Sequence, residues 1–437
     1  MDLQNNYVFY HIYPLGFCNA EEINNFNSEP KPRITKILNW IEHLNTLGIN
    51  ALYLGPVFES TKHGYDTADY LKIDRRLGSN EDFKLVCDSL HEAGIQIFLD
   101  GVFNHVGRDF WAFKDVQINK QNSKFKDWFY IDFNRNSYDN DGFYYEGWEG
   151  HYDLVKLNLN NADVKNHIFS AISSWVTEFN IDGLRLDVAY SLDKNFIREL
   201  SAFCKKLKPN FFLIGEIIHG DYNSIVGKDL LDSATNYECY KGIYSSFNSE
   251  NMFEIEYSLN RQFGNGGIYK DLPLYSFVEN HDVVRLASVL TDPNHLKLAY
   301  GLLFTMPGIP SIYYGGEWGL KGDKSKGDSA LRPALELDSL EDNDLTKFIS
   351  SLVAIRKDSK ALAFGNYKKE HLTNHQYVFS RELEDEKIII AINIEKKPYV
   401  LNYKFPKEKA IDLLTKKEYV FDGSFILEPY SIYIFKM

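Results

Sequence analysis

Short β-rich runs alternate with helical stripes through the first two-thirds of the chain, and few folds accommodate that alternation. Val8 to Tyr13 reads as a strand; Ile34, Ile37, Leu38, Ile41, Leu44 and Leu47 then recur at helical spacing up to a stop at Gly48. Ile49 to Leu54 is the second strand, and Phe83, Val86, Cys87 and Leu90 form the next stripe, ending at Gly94. Ile95 to Leu99 is the third strand and runs into Asp100. After a break, the stripe Val164, Ile168, Ala171, Ile172, Trp175, Val176 and Phe179 feeds a strand at Ile181 to Leu186. Phe196, Ile197, Leu200, Phe203 and Leu207 follow, and Pro209 precedes a strand at Phe211 to Ile214. Further strands are expected near Ala234, at Leu274 to Val278 and at Ile309 to Tyr314.

Eight β units joined by helices should pair in parallel, so the predicted class is α/β with a (β/α)8 TIM barrel. A doubly wound open sheet is the rival, but no Gly-x-Gly-x-x-Gly turn follows the first strand. Two stretches break the rhythm. From about Val106 to Asn160 the chain is rich in Asn, Asp, Tyr, Trp and Gly with little helical period. That is too long for an ordinary loop and reads as a subdomain inserted after strand three, over the barrel mouth. After Phe364, alternating strands at Gln376 to Phe379, Lys387 to Ile394, Tyr399 to Tyr403, Tyr419 to Phe421 and Ser431 to Phe435 predict a C-terminal antiparallel β-sandwich. The expected division is 1–105 and 161–360 for the barrel, 106–160 for the insertion and 361–437 for the sandwich.

Composition narrows the ligand. A net charge of −13 disfavours nucleic acid and anionic membrane, which need basic surface. Aromatic residues make up 15% of the chain; most should pack in cores, yet such rings also stack on the flat C–H faces of sugars. Cys18, Cys87, Cys204 and Cys239 show neither zinc spacing nor a disulfide framework, so buried thiols are expected. No basic stretch followed by an apolar run opens the chain, and no segment has the ~20 apolar residues of a membrane span, so a cytoplasmic protein is expected. Oligomeric state is not legible.

Four carboxylates fall at the carboxyl ends of predicted strands: Asp100, Asp187, Glu216 and Asp282. One such coincidence could be a helix cap. Four together point to a site, because strand ends of a β/α barrel converge on the active-site mouth. Glycoside hydrolysis needs two carboxyl groups flanking the bond, one protonated as acid and one attacking or activating water. Arg185 and Asp187 share a strand face at a spacing of two, so the guanidinium should hold Asp187 ionised, as a nucleophile requires. The same geometry would serve a structural ion pair. Glu216, in Leu-Ile-Gly-Glu-Ile-Ile, has apolar neighbours that should raise its pKa and suit a general acid.

Asp-Gly-Val-Phe-Asn-His (Asp100 to His105), Gly-Leu-Arg-Leu-Asp-Val-Ala (Gly183 to Ala189), Gly-Glu-Ile (Gly215 to Ile217) and Phe-Val-Glu-Asn-His-Asp (Phe277 to Asp282) resemble, in order, the four signature regions of the alpha-amylase family, glycoside hydrolase family 13. Met306 to Gly315 is similar to its eighth strand, and Arg332 beyond it either lines the cleft or is solvated. The resemblance implies Asp187 as nucleophile, Glu216 as acid/base and Asp282 as the third carboxylate. It implies hydroxyl contacts from His105 and His281, an aromatic platform at Tyr65, supporting roles for Asp100 and Asn104, and a retaining double displacement.

Leu154 to Asn158 and Gly215 to His219 are most similar to the neopullulanase and cyclomaltodextrinase group. Val155 replaces a proline of that group, Tyr190 and Ser191 replace its Asn-Glu, and its N-terminal domain finds no counterpart before the strand at Val8. Secreted relatives carry Lys-His at 190 and 191 where calcium binds; neither is present, so no cofactor is expected, although Asn104 leaves calcium open. The expected function is hydrolysis of α-1,4 bonds in maltooligosaccharides. Glycosyl transfer or cyclodextrin and pullulan degradation are the alternatives. A non-catalytic sugar-binding barrel would tend to lack the nucleophile or acid, and all three carboxylates are present.

Overall fold

The computed structural model describes residues 6–341 and 343–437; the amino-terminal residues 1–5 read above lie outside it. Eight strands form one sheet: β1 (Phe9–Ile12), β2 (Ala51–Leu54), β3 (Gln96–Gly101), β4 (Gly183–Leu186), β5 (Phe212–Gly215), β6 (Ser233–Ala234), β7 (Tyr275–Phe277) and β8 (Ile309–Tyr313). The order is β6-β5-β4-β3-β2-β1-β8-β7, with every neighbouring pair parallel. A single parallel bridge from Thr235 to Tyr275 joins the two edges. The fold is a TIM barrel, and each strand lies inside or beside its predicted run.

The helices form where the stripes predicted them, and their ends are capped. Helix α1 (Ile41–Leu47) stops at Gly48, whose φ of 83° suits a residue without Cβ. Helix α2 (Asn80–Glu92) starts with a reciprocal capping box between Ser79 and Asp82. Asn161 caps α3 (Ala162–Phe179) and Asp193 caps α4 (Lys194–Leu207), each accepting from two backbone N–H groups.

Alternation along the strands divides the barrel interior into layers. Phe9, Ala51, Phe98, Phe212 and Ile309 belong to a closed apolar cluster at its amino end. Two residues further along the same strands stand His11, Tyr53, Asp100, Ile214 and Ser311, so polar groups dominate the layer above. Gly183 lets the lower layer close: a Cβ there would lie 2.5 Å from Phe98 Cε1.

Three elements of the mouth differ from expectation. An antiparallel hairpin, Phe58–Ser60 with Thr67–Ile73, follows β2 and carries Tyr65 at its turn. The insertion contains a three-stranded antiparallel sheet (His105–Gly107, His151–Lys156, Gly147–Trp148) and a helix at Trp111–Asn119. That helix buries Ala112, Phe113 and Val116, a stripe too short to register as a period amid its polar flanks. In the C-terminal region a six-stranded antiparallel sheet and a two-stranded ladder enclose their own core of Val378, Ile389, Phe405, Phe421, Leu427 and Phe435. Three of its strands, Asn366–Leu372, Lys409–Asp412 and Phe425–Leu427, were not foreseen, the first because Tyr367 is its only buried residue. All four cysteines are free and buried.

Candidate active site

Strand register brings the first charges together. Arg185 pairs with Asp100 across β4 and β3 and with Ile214 across β4 and β5, which places Asp187 and Glu216 on adjacent strand ends. One guanidinium serves all three carboxylates: Arg185 Nη1 donates to Asp100 Oδ1 (2.7 Å) and Asp187 Oδ1 (2.9 Å), and Nη2 reaches Glu216 Oε1 (2.7 Å). Asp100 Oδ2 also accepts from the hydroxyls of Tyr53 (2.8 Å) and Tyr65 (3.1 Å). Directly after Asp187 the chain turns through Val188 at φ 40°, a costly conformation for a β-branched residue. The turn aims the Val188 N–H at Glu216 Oε2, 3.0 Å away.

Asp282 stands opposite, five residues past the end of β7 on a loop rather than at the strand end itself. Its Oδ1 accepts from Arg332 Nη2 at 2.9 Å, and its Oδ2 lies 3.0 Å from His281 Nε2. Arg332 Nε holds the His281 carbonyl at 3.0 Å, and Lys324 Nζ holds the Asp282 carbonyl at 3.1 Å. The Tyr65 ring lies parallel to His281, 5.7 Å between centroids, with its hydroxyl bonded to His281 Nε2. His105 points Nε2 at Asp187 Oδ2 (3.7 Å), and that nitrogen has no hydrogen-bond partner among the described residues.

These groups surround a cavity of about 550 Å³. Asp187, Glu216, Asp282, Tyr65, His105 and Arg332 line it; Asp100, Arg185 and His281 do not, Asp100 and Arg185 forming the layer beneath. Trp148, His151 and Asp153 from the insertion, Ile218 beyond β5 and Tyr237 beyond β6 complete the wall. Of these five, only Ile218 fell within a segment quoted from the sequence, Gly215 to His219. Tyr237 had a usable signal, three residues past the strand at Ala234, whereas Trp148 and His151 arrive from an insertion with no barrel period.

Burial sets the electrostatics. It raises the pKa of Asp187 well above the carboxylate range despite Arg185, and the Glu216 charge adds to the rise. It raises Glu216 and Asp100 too, against the pull of Arg185. Burial therefore opposes the ionisation expected from Arg185, because one cation is shared among three buried carboxylates. The imidazoles go the other way. Burial, with His63 and His151, lowers His105 to about 3, and burial with Arg332 lowers His281 well below the usual value. Neutral imidazoles can donate one hydrogen bond and accept another, as sugar hydroxyls require.

Among the described residues no group of three or more His, Cys, Asp or Glu side chains is placed to hold a metal ion. Asn104, through which calcium was left open, turns its amide nitrogen to His105 Nδ1 at 3.1 Å. No helix of the described residues is long and apolar enough to cross a membrane.

Comparison with known proteins agrees with this geometry. Residues 11–361 match the family model described as alpha amylase, catalytic domain. A cyclomaltodextrinase of a Bacillus species is 31% identical over 414 residues, covering 90% of this chain and 74% of its own. An intracellular maltogenic amylase of Bacillus subtilis is 31% identical over 404 residues, covering 88% and 67% respectively. The ligand-free structure of a cyclic alpha-maltosyl-(1→6)-maltose hydrolase from Arthrobacter globiformis superposes with a TM-score of 0.86 at 26% identity, covering the whole of each chain.

Proposed function

The chain belongs to the alpha-amylase family, and from that premise we propose that it is a retaining glycoside hydrolase cleaving α-1,4 bonds of maltooligosaccharides, with Asp187 and Glu216 as its reacting groups. The observation that carries this reading is that one cavity holds Asp187, Glu216 and Asp282, the first two bonded to neighbouring nitrogens of one guanidinium. Asp187 Oδ2 attacks the anomeric carbon while the bond to the departing glucan oxygen breaks, and Glu216 gives that oxygen its proton. The Asp187–glycosyl ester then forms, and Glu216 takes a proton from the water that hydrolyses it. The single proton of the pair belongs on Glu216 in the first step, because only there does a basic oxygen await it. Asp282 and His105 hold ring hydroxyls, His281 works through Asp282 and Tyr65, and Tyr65 supplies the face on which the ring rests. Asp100 and Arg185 are assigned to positioning the pair. The insertion, 106–160, supplies one wall of the cleft through Trp148 and His151.

The experiment that tests this is a time course of products from maltotriose, β-cyclodextrin, pullulan, isomaltose, sucrose and trehalose, with the anomer of the first product recorded. Release of α-anomers from maltotriose supports the reading; β-anomers, or no cleavage of any α-glucan, overturn it. The names of the relatives favour a second substrate, cyclic glucans, which the same panel measures. Products longer than maltotriose would indicate transfer. A cytoplasmic location follows the Bacillus subtilis relative named as intracellular.

A further inference from the structure

Glu279 and Arg285 stand on either side of the segment that carries His281 and Asp282, and both are buried, at 2% and 0% exposure. Neither lines the cavity. Glu279 Oε1 accepts from Arg285 Nη1 (3.1 Å) and Oε2 accepts from the Leu286 N–H (2.5 Å), so one carboxylate closes the loop from 279 to 286. Arg285 Nη1 also donates to the Tyr314 carbonyl at 2.7 Å, next to the end of β8, and its guanidinium lies over the Tyr313 ring at 4.1 Å. The Arg285 backbone N–H donates to Gly322 O at 3.1 Å, tying the loop to the segment that brings in Lys324 and Arg332. Inside the loop, Asn280 Oδ1 accepts from the Asp282 and Val283 N–H groups (2.8 and 3.2 Å), and its amide donates to Tyr237 OH (3.0 Å). Gly316 keeps the space open: a Cβ there would come within 2.5 Å of Glu279 Oε1.

A buried ion pair costs desolvation that an apolar pair of the same volume would not, so stability alone does not account for this one. What an apolar pair could not do is fix both ends of a short loop at once, to strand β8 on one side and to its own backbone on the other. We propose that the Glu279–Arg285 clasp is a positioning device for the reaction, holding the loop so that Asp282, with His281 behind it, meets the sugar in the geometry of the transition state. The inference rests on the reading of Asp282 as a substrate-gripping carboxylate. Neither Glu279 nor Arg285 touches substrate; each acts through the loop. Because the contacts of Asp282 matter most when the ring is distorted, loosening the clasp lowers kcat more than it raises KM.

The test compares Glu279→Gln, Arg285→Met, Asp282→Asn and Arg356→Met in steady-state kinetics on maltotriose, with rates normalised to the folded fraction. Glu279→Gln keeps the size and an acceptor for Leu286 N–H, so it remains informative if Arg285→Met fails to fold. Arg356 is a second buried arginine, bonded to the Phe304 and Met306 carbonyls and outside the cavity, and serves as the control for general destabilisation. Glu279→Gln should lower kcat about 30-fold and Arg285→Met at least 100-fold, each with KM changed less than 5-fold. Arg356→Met should leave kcat/KM within 3-fold. Near-wild-type kcat in Glu279→Gln and Arg285→Met alongside a collapsed Asp282→Asn overturns the positioning role alone. Near-wild-type kcat in Asp282→Asn overturns the reading of the site on which it rests.

Discussion

The two ends of one barrel interior are built from the same strands and obey opposite rules. At the amino end Phe9, Ala51, Phe98, Phe212 and Ile309 fill the space with apolar atoms, and Gly183 gives up its side chain so that Phe98 fits. Two residues along, the interior holds Asp100 and Arg185, and then Asp187 and Glu216 at the rim, where burial makes every ionised carboxylate expensive. The difference teaches that stability and chemistry are separated by one step of strand periodicity, about 7 Å of strand. The lower layer holds the barrel closed; the upper layer stores unfavourable charge where a reaction can use it.

The sharpest way to break that comparison is at its charged end. Asp187→Asn should lower kcat on maltotriose by about 10⁴-fold or more, because no other group can form the glycosyl ester. Retention of turnover would mean that the charged layer is structural. Phe98→Ala at the other end should cost about 3–5 kcal/mol in denaturant unfolding while kcat/KM of the folded fraction stays within a few-fold. Glu216→Gln should lose about 10³-fold on maltotriose and far less on aryl glucosides, whose leaving groups need little protonation. Equal losses on both substrates would deny Glu216 the acid role.

A smaller effect sharpens the same contrast through pH. The folded pKa of Asp187 is raised, so its contribution to stability is fully present below the unfolded value near 3.9 and is lost as pH rises through the folded value. Asp187→Asn should therefore be more stable than the parent at pH 7, and the gain should shrink as pH falls toward the unfolded value of about 3.9. His105 titrates in the opposite sense. Its folded value of about 3 lies below the unfolded value near 6.5, so its contribution is present above pH ~6.5 and is lost as pH falls toward 3. Acid unfolding that begins below about pH 6.5, and begins at lower pH in His105→Gln, would register it. The smallest effect is expected from Tyr65→Phe, which keeps the ring but removes the hydroxyl from Asp100 and His281; KM should rise a few-fold.

Periodicity made most of this fold legible. Apolar runs of four to six residues gave seven of the eight barrel strands, the short Ser233–Ala234 being placed only near Ala234, and Gly48 marked a helix end, because these are local requirements of backbone geometry. The hairpin bearing Tyr65 and the helix at Trp111–Asn119 escaped, the helix because it buries only Ala112, Phe113 and Val116, a stripe too short to register as a period. Of the site, Asp187, Glu216 and Asp282 could be read from their places after apolar strands, as could Tyr65 and His105 from the resemblance. Trp148 and His151 could not, since they reach the cavity from an insertion with no barrel period, whereas Tyr237, three residues past the strand at Ala234, was passed over.

What the sequence determined by itself was the set of parts: strands, helices, and which strand ends carry a carboxylate, all fixed by side-chain alternation over a few residues. Tertiary structure alone decided how charge is shared, because Arg185 meets Asp100, Asp187 and Glu216 only after three strands come into register, and burial then raises Asp187, which a local reading left ionised. Electrostatic energy depends on distance and on excluded water, and neither exists along an unfolded chain.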